Sequence, residues 1–176
     1  KYDVATGLSE RLTYGSHNVY LNDISPDGKK LLCSTSKPDI TRCPFSLSSL
    51  FEIDLATLQA DTLAAWDAYL GSASYSPDGK QLLVTGSPSA FGGIGKNCGE
   101  HPIANDFDTQ AFIMDLATKK VQAITRDFNP TVSPVQWNRV DGCIYFDTTD
   151  GDCRHIYRYV PKTGSFEMLP LEEDVI

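Results

Sequence analysis

The sequence predicts an all-β protein: a β-propeller fragment of about three four-stranded antiparallel blades plus part of a preceding blade. Three observations lead there. Ser25-Pro26-Asp27-Gly28-Lys29 recurs as Ser76-Pro77-Asp78-Gly79-Lys80, each time followed by a Leu-Leu pair. Asp3-Val4-Ala5-Thr6 recurs at Asp54 to Thr57 and again at Asp115 to Thr118. Ser25 to Ser76 and Asp3 to Asp54 both span 51 positions, so two independent markers share one period. A unit of roughly 40–50 residues holding four strands is the repeat of a propeller blade.

Each element follows from its turn chemistry. In Ser-Pro-Asp-Gly, Pro presets the backbone, Asp caps locally and Gly takes the left-handed conformation. Asp-x-Ala-Thr, followed by Gly7, Leu58 or Lys119, closes a second hairpin of similar size. Between the turns lie short runs rich in Leu, Ile, Val, Phe and Tyr, at 30–35, 50–54, 81–85, 111–115, 143–148 and 156–160. They are too short and too punctuated for helices, and they read as strands. The third copy has drifted: Trp137-Asn138-Arg139 with Asp141-Gly142 takes the place of the first turn, and Val160 to Gly164 that of the second. Residues 1–13 are expected to end one blade, with 14–70, 71–130 and 131–176 forming the next three.

The link between the second and third strands carries the length variation: residues 36–48 in the first full unit, 87–109 in the next, and a tight turn near Thr149 to Cys153 in the last. In an antiparallel blade all such links share one face of the ring. Long loops on one side of a rigid scaffold usually carry the contacts. Phe91, Lys96, Glu100, His101, Asn105, Asp106 and Phe107 are therefore the candidate contact residues. Phe51, Phe112 and Tyr157 fall at equivalent third-strand positions and are expected to pack blade against blade. Closed propellers need about four to eight blades, so the chain is expected to be an arc. Its sticky flanks are expected to drive self-association, by two arcs completing a ring.

Composition narrows the function. The 176 residues are 41% hydrophobic and 22% charged with a formal net charge of -8, a globular and acidic chain. The basic residues are scattered, which argues against nucleic acid. No apolar run reaches the length of a membrane span, and no charged-then-apolar leader is expected. Five cysteines are too few for a disulfide scaffold, and none has C-x-x-C spacing. Cys43 and Cys98 sit in the two long links and could bridge them in an oxidising compartment. No cofactor or metal is expected. Gly92-Gly93-Ile94-Gly95-Lys96 fails the phosphate-loop pattern, with Ala90 and Asn97 at required positions. Asp147 to Asp152 lacks the ligand spacing of a calcium loop and reads as a hairpin tip. Trp66-Asp67 lies past the expected outer strand and is no WD signature.

Two stretches carry a resemblance. The Ser-Pro-Asp-Gly-Lys-x-Leu-Leu strand pair, followed by Leu50-Phe51 and Asp54-Leu55-Ala56-Thr57, resembles TolB-type propellers. It equally resembles the N-terminal propellers of prolyl-oligopeptidase-family serine peptidases, the dipeptidyl peptidase IV relatives. Gly86 to Gly95, Ile103 to Gln110 and Ile124 to Pro130 are similar to a long loop and the following blade start in bacterial peptidases of that family. The resemblance implies a non-catalytic propeller segment that gates peptide access to an α/β-hydrolase domain absent from this chain. Its implied partners are the peptide substrate and that hydrolase domain, in a periplasmic or secreted bacterial protein. No G-x-S-x-G occurs here, and Gly86 to Ala90 has Ala at the second Gly position. Glu172-Glu173 do not match the amine-gripping Glu context of dipeptidyl peptidase IV. The alternative is a TolB-like propeller acting as a protein-binding module without enzymatic activity. A lyase-type propeller is disfavoured, since no paired carboxylates or His clusters recur on strands.

Overall fold

A computed structural model describes residues 1–98 and 108–170 of the chain. Twelve strands form three separate four-stranded sheets within those residues, each antiparallel and each in chain order. The first sheet holds β1 (Val19–Ile24), β2 (Lys30–Pro38), β3 (Ser46–Asp54) and β4 (Ala60–Asp67). The second holds β5 (Leu70–Tyr75), β6 (Gln81–Gly86), β7 (Gln110–Asp115) and β8 (Val121–Ala123). The third holds β9 (Thr131–Trp137), β10 (Ile144–Asp150), β11 (Cys153–Val160) and β12 (Ser165–Met168). Among the described residues the one helical feature is a single turn at Ala90–Gly93, broken by left-handed Phe91 and Gly92.

The two repeated motifs form the same two turns each time. Ser25 Oγ donates to Asp27 Oδ1 (2.7 Å) and accepts from the Lys30 amide (2.9 Å). Ser76 does the same with Asp78 (2.7 Å) and Gln81 (3.0 Å). Gly28 and Gly79 stand at φ 71° and 70°, where a side chain would be strained. In the drifted copy Asn138 Oδ1 accepts from the Val140 amide (2.7 Å), and Gly142 supplies the positive φ. The second turn is an Asx cap. Asp54 Oδ1 accepts from the amides of Ala56 (2.9 Å) and Thr57 (2.8 Å), and Asp3 Oδ1 accepts from those of Ala5 and Thr6. Asp115 Oδ1 takes the Thr118 amide and hydroxyl. Each inner strand is also bulged, with register shifts between Leu21/Asp23, Leu70/Ala73 and Phe146/Thr148, which adds local twist.

Two expectations are corrected. The first link is much shorter than residues 36–48, because Ser36, Lys37 and Pro38 pair with Ser48, Leu47 and Ser46 and extend both strands. A polar, Ser-rich stretch has little strand propensity of its own; the facing strand supplies the pairing. Trp66 and Asp67 lie inside β4 and not beyond it.

The period of two sets the packing. Cys33↔Phe51, Val84↔Phe112 and Phe146↔Tyr157 are equivalent cross-strand pairs, and all lie on the face turned toward the preceding blade. We call this the rear face and its opposite the forward face. Forward Leu32 and Leu50 of the first blade meet rear Leu82, Val84, Phe112 and Met114 of the second in one buried cluster. Forward Leu83, Ala111 and Ile113 of the second blade meet rear Ile144, Phe146 and Tyr159 of the third in another, which Tyr157 flanks. Phe112 is fully buried, whereas Phe51 is half-buried on the rear of the first blade, outside both clusters.

The first seam also buries charge. Glu52 is 4% exposed; it accepts from Tyr75 Oη of the next blade (2.7 Å) and from Lys30 Nζ (2.8 Å). The Tyr75 amide donates back across the seam to Asp23 Oδ2 (2.9 Å). At the position equivalent to Glu52 the second blade carries Ile113, so among the described residues the second seam lacks this polar clasp.

The turn aspartates set the acid limit. Amide and hydroxyl donors hold the carboxyls of Asp3, Asp27, Asp54 and Asp115 below their ordinary value of 3.8. A depressed folded-state value means that the stabilisation is present above the unfolded value and is lost as pH falls through the folded one. The thermal midpoint is therefore expected to decline as pH drops below about 4, and an Asp54→Asn, Asp115→Asn variant is expected to decline less steeply. Differential scanning fluorimetry across that range checks both.

Candidate functional site

In the first two blades the Ser-Pro-Asp-Gly and Asp-x-Ala-Thr turns, and in the third their drifted counterparts, lie at one end, and the second-to-third strand links lie at the other with the inter-blade connections. The link end holds two neighbouring clefts. One, of about 480 Å³, runs between the Cys43-Pro44 link, the Tyr69–Gly71 connection and Ser87, with Asp108 on its border. The other, of about 280 Å³, lies between Lys96 to Cys98, Gln110 and the Arg126 to Asn129 connection, and Asp108 borders it too. Asp108 is fixed in place by the Thr131 hydroxyl at the start of β9 (3.0 Å), so the base of the long link is tied to the third blade.

The long link is anchored at its other root by Asp67. Asp67 Oδ1 accepts from the Tyr69 amide (2.8 Å), and Oδ2 accepts from the Phe91 amide (2.7 Å). That second bond holds Phe91 at φ 54°, a conformation costly for a bulky residue. The Phe91 ring meets Phe112 edge-on with centroids 5.3 Å apart and packs on the first core cluster. Phe91 thus acts as an anchor for the loop. Lys96, by contrast, borders the smaller cleft, and its stem passes over Gly93, whose φ of 87° and missing Cβ make room for it.

The smaller cleft combines donors and acceptors. Arg126 and Asp127 pair at 2.9 Å; their bond raises the guanidinium and lowers the carboxyl from their ordinary values. Gln110 Oε1 is buried beside Gly95 with no hydrogen-bond partner among the described residues. Asn97 and Asn129 add amide groups, and Phe128 and Pro88 supply apolar lining. Such a set suits holding a polar, extended chain by its amides. Among the described residues no three of His, Cys, Asp and Glu group as a metal site.

Cys43 and Cys98 border the larger and the smaller cleft respectively, and both are free thiols. Glu100, His101, Asn105, Asp106 and Phe107, like Glu172-Glu173, lie outside the described residues. The sequence reading missed Asp67 and Gln110. Asp67 had a signal in its place just before an inter-blade connection, whereas Gln110 acts through a neighbouring blade.

Three tandem four-stranded sheets, packed rear to forward with their links on one face, define an arc of a β-propeller. Among solved structures the chain is similar to TolB from Acinetobacter baumannii, with 22% identity and a TM-score of 0.62 over 93% of this chain and 35% of that one. It is similar to an oligogalacturonate lyase in complex with manganese, with 15% identity and a TM-score of 0.69 over 96% and 46%. It is also similar to the β-propeller domain of the Trilobed protease from Pyrococcus furiosus, with 12% identity and a TM-score of 0.59 over 89% and 44%. The chain spans less than half the length of each. No protein-family model and no curated protein matches it. At these identities the likeness is one of fold.

Proposed function

We propose that the chain is a non-catalytic propeller segment that makes contacts through its link face, in a peptidase of the prolyl-oligopeptidase type. There it admits extended peptides toward a hydrolase domain and excludes folded proteins by its size. The observation that carries this reading is the pair of clefts joined at Asp108, one of them holding the unpartnered Gln110 oxygen among amide side chains. The whole chain, residues 1–176, is taken as one partial propeller, with 1–13, 14–70, 71–130 and 131–176 as successive blade segments. An exported, periplasmic or secreted setting belongs to the same reading, as does a Cys43–Cys98 bridge formed on oxidation. Thiol counting before and after reduction tests that bridge.

The likeness to TolB favours a second reading, a protein-binding module without enzymatic activity that uses the same face. One experiment addresses both. Removing residues 92–104 from the full-length protein is expected to change peptide turnover several-fold while circular dichroism still reports the sheets. Unchanged kinetics reject the gating role. A full-length protein without a nucleophile-elbow serine downstream leaves the binding module.

A further inference from the structure

Asp-Gly occurs four times in the chain, at Asp27-Gly28, Asp78-Gly79, Asp141-Gly142 and Asp150-Gly151. In such a pair the glycine nitrogen can attack the carboxyl carbon of the aspartate before it. Glycine obstructs that attack least, because it carries no Cβ and its backbone moves freely. All four pairs share this latent chemistry, and their surroundings decide which of them undergoes it.

Three of the four are locked at both reacting groups. The amides of Gly28, Gly79 and Gly142 donate to the carbonyls of Ser25 (2.8 Å), Ser76 (2.9 Å) and Asn138 (3.1 Å). Asp27 Oδ1 accepts from Ser25 Oγ and the Lys29 amide, and Asp78 Oδ1 accepts from Ser76 Oγ and the Lys80 amide. Asp141 takes the Cys143 amide at Oδ1 and the Tyr145 hydroxyl at Oδ2. These bonds must break before nitrogen and carboxyl carbon can meet. The fourth pair lies at the tip of the β10–β11 hairpin, where Asp150 faces Cys153 at the last position of the ladder and Gly151 stands at φ 62°. Both residues are exposed. Among the described residues neither the Asp150 carboxyl nor the Gly151 amide makes a hydrogen bond.

We propose that Asp150-Gly151 is a site of spontaneous main-chain modification, at which Asp150 converts to isoaspartate through a cyclic imide. The Gly151 nitrogen bonds to Asp150 Cγ, and its proton leaves with the carboxyl hydroxyl as one water. Solvent water then opens the imide ring. Cleavage between the nitrogen and Cγ restores aspartate; cleavage between the nitrogen and the main-chain carbonyl carbon leaves isoaspartate. The chain then runs through the former side chain, one methylene longer, and the former main-chain carbonyl becomes the free carboxylate. The added atom breaks the pairing of Asp150 with Cys153 and remodels the hairpin tip. That tip is the second-to-third strand link of the third blade, so the change falls on the link face. The inference rests on hydrogen bonding at the turns and is independent of what the link face binds.

The test is to incubate the folded protein for weeks at neutral pH, digest it and map it by electron-transfer fragmentation, which separates isoaspartate from aspartate at equal mass. Isoaspartate is expected to form at residue 150 about tenfold or more faster than at residues 27, 78 and 141, since freeing a locked pair forfeits several hydrogen bonds. In denaturant, where the turns are lost, all four sites are expected to convert at similar rates. Gly151→Ala is expected to slow conversion at residue 150 about tenfold, because a Cβ then obstructs the attacking nitrogen. Circular dichroism and the thermal midpoint confirm that this variant is folded. Conversion at Asp27, Asp78 or Asp141 as fast as at Asp150 in the folded protein overturns the proposal. So does a folded protein that stays unmodified at Asp150 while the denatured one converts there, or a Gly151→Ala variant that converts at the parent rate.

Discussion

Phe112→Ala is expected to lower the unfolding free energy by about 3–5 kcal/mol, the range for removing a fully buried aromatic ring. Phe112 is 0% exposed and sits in the seam between the first two blades with Leu32, Leu50 and Met114 around it. Its ring also receives the edge of Phe91, so the cavity opens beneath the root of the long link. Such a loss is a large share of the roughly 5–15 kcal/mol that holds a domain together. Urea unfolding followed by circular dichroism gives the difference directly. The equivalent change at half-buried Phe51 is expected to cost clearly less. Equal losses at the two positions would show that the rear of the first blade is as deeply packed as that of the second.

Glu52→Ala is expected to cost about 2–4 kcal/mol, because it leaves the Tyr75 hydroxyl buried without an acceptor and Lys30 without its partner. The double replacement Glu52→Ile, Tyr75→Phe, which copies the apolar chemistry of the second seam, is expected to recover most of that loss. Apolar groups of similar shape owe nothing to hydrogen bonding. The clasp also predicts an alkaline limit. The bond to Glu52 raises Lys30, and burial first, with Glu52 second, pushes Tyr75 well above its ordinary value of 10.0. For both groups the folded state holds the proton more tightly than the unfolded one. Their contribution is present below about pH 10 and is lost as pH rises past it. The Glu52→Ala protein is expected to show a flatter alkaline decline than the parent. A double-mutant cycle returning no coupling between Glu52 and Tyr75 would remove the clasp from the account.

Much of the architecture was legible because turn chemistry is local. Ser25, Asp27 and Gly28 form their turn from contacts within five residues, and Asp54 with Thr57 does likewise, so these sites were readable without knowing the fold. Once two turns recur at one period, strand direction and pairing follow. What stayed hidden depends on partners far along the chain. The extension of β2 and β3 through Ser36 to Pro38 comes from pairing across the sheet and not from propensity. The buried role of Glu52 depends on Tyr75, 23 residues away. Aligning the copies offered a signal, since Glu52 falls where the next blade has Ile113, and a lone carboxylate at an apolar repeat position asks for a partner. At the link face the sequence indicated the end of the blade but not each residue's task. Phe91 turned out to hold the loop to the core, through an amide bond to Asp67 that no local pattern announces.

Nuclear Overhauser contacts in a methyl- and aromatic-labelled sample test the tandem-blade arrangement most directly. The arrangement predicts contacts from the Phe146 and Tyr159 rings to the Leu83 and Ile113 methyls, and from the Phe112 ring to the Leu32 and Leu50 methyls. Amide contacts that zip β4 to β5 in one continuous sheet, or ring contacts from Phe146 to the Leu32 and Leu50 methyls, would contradict it.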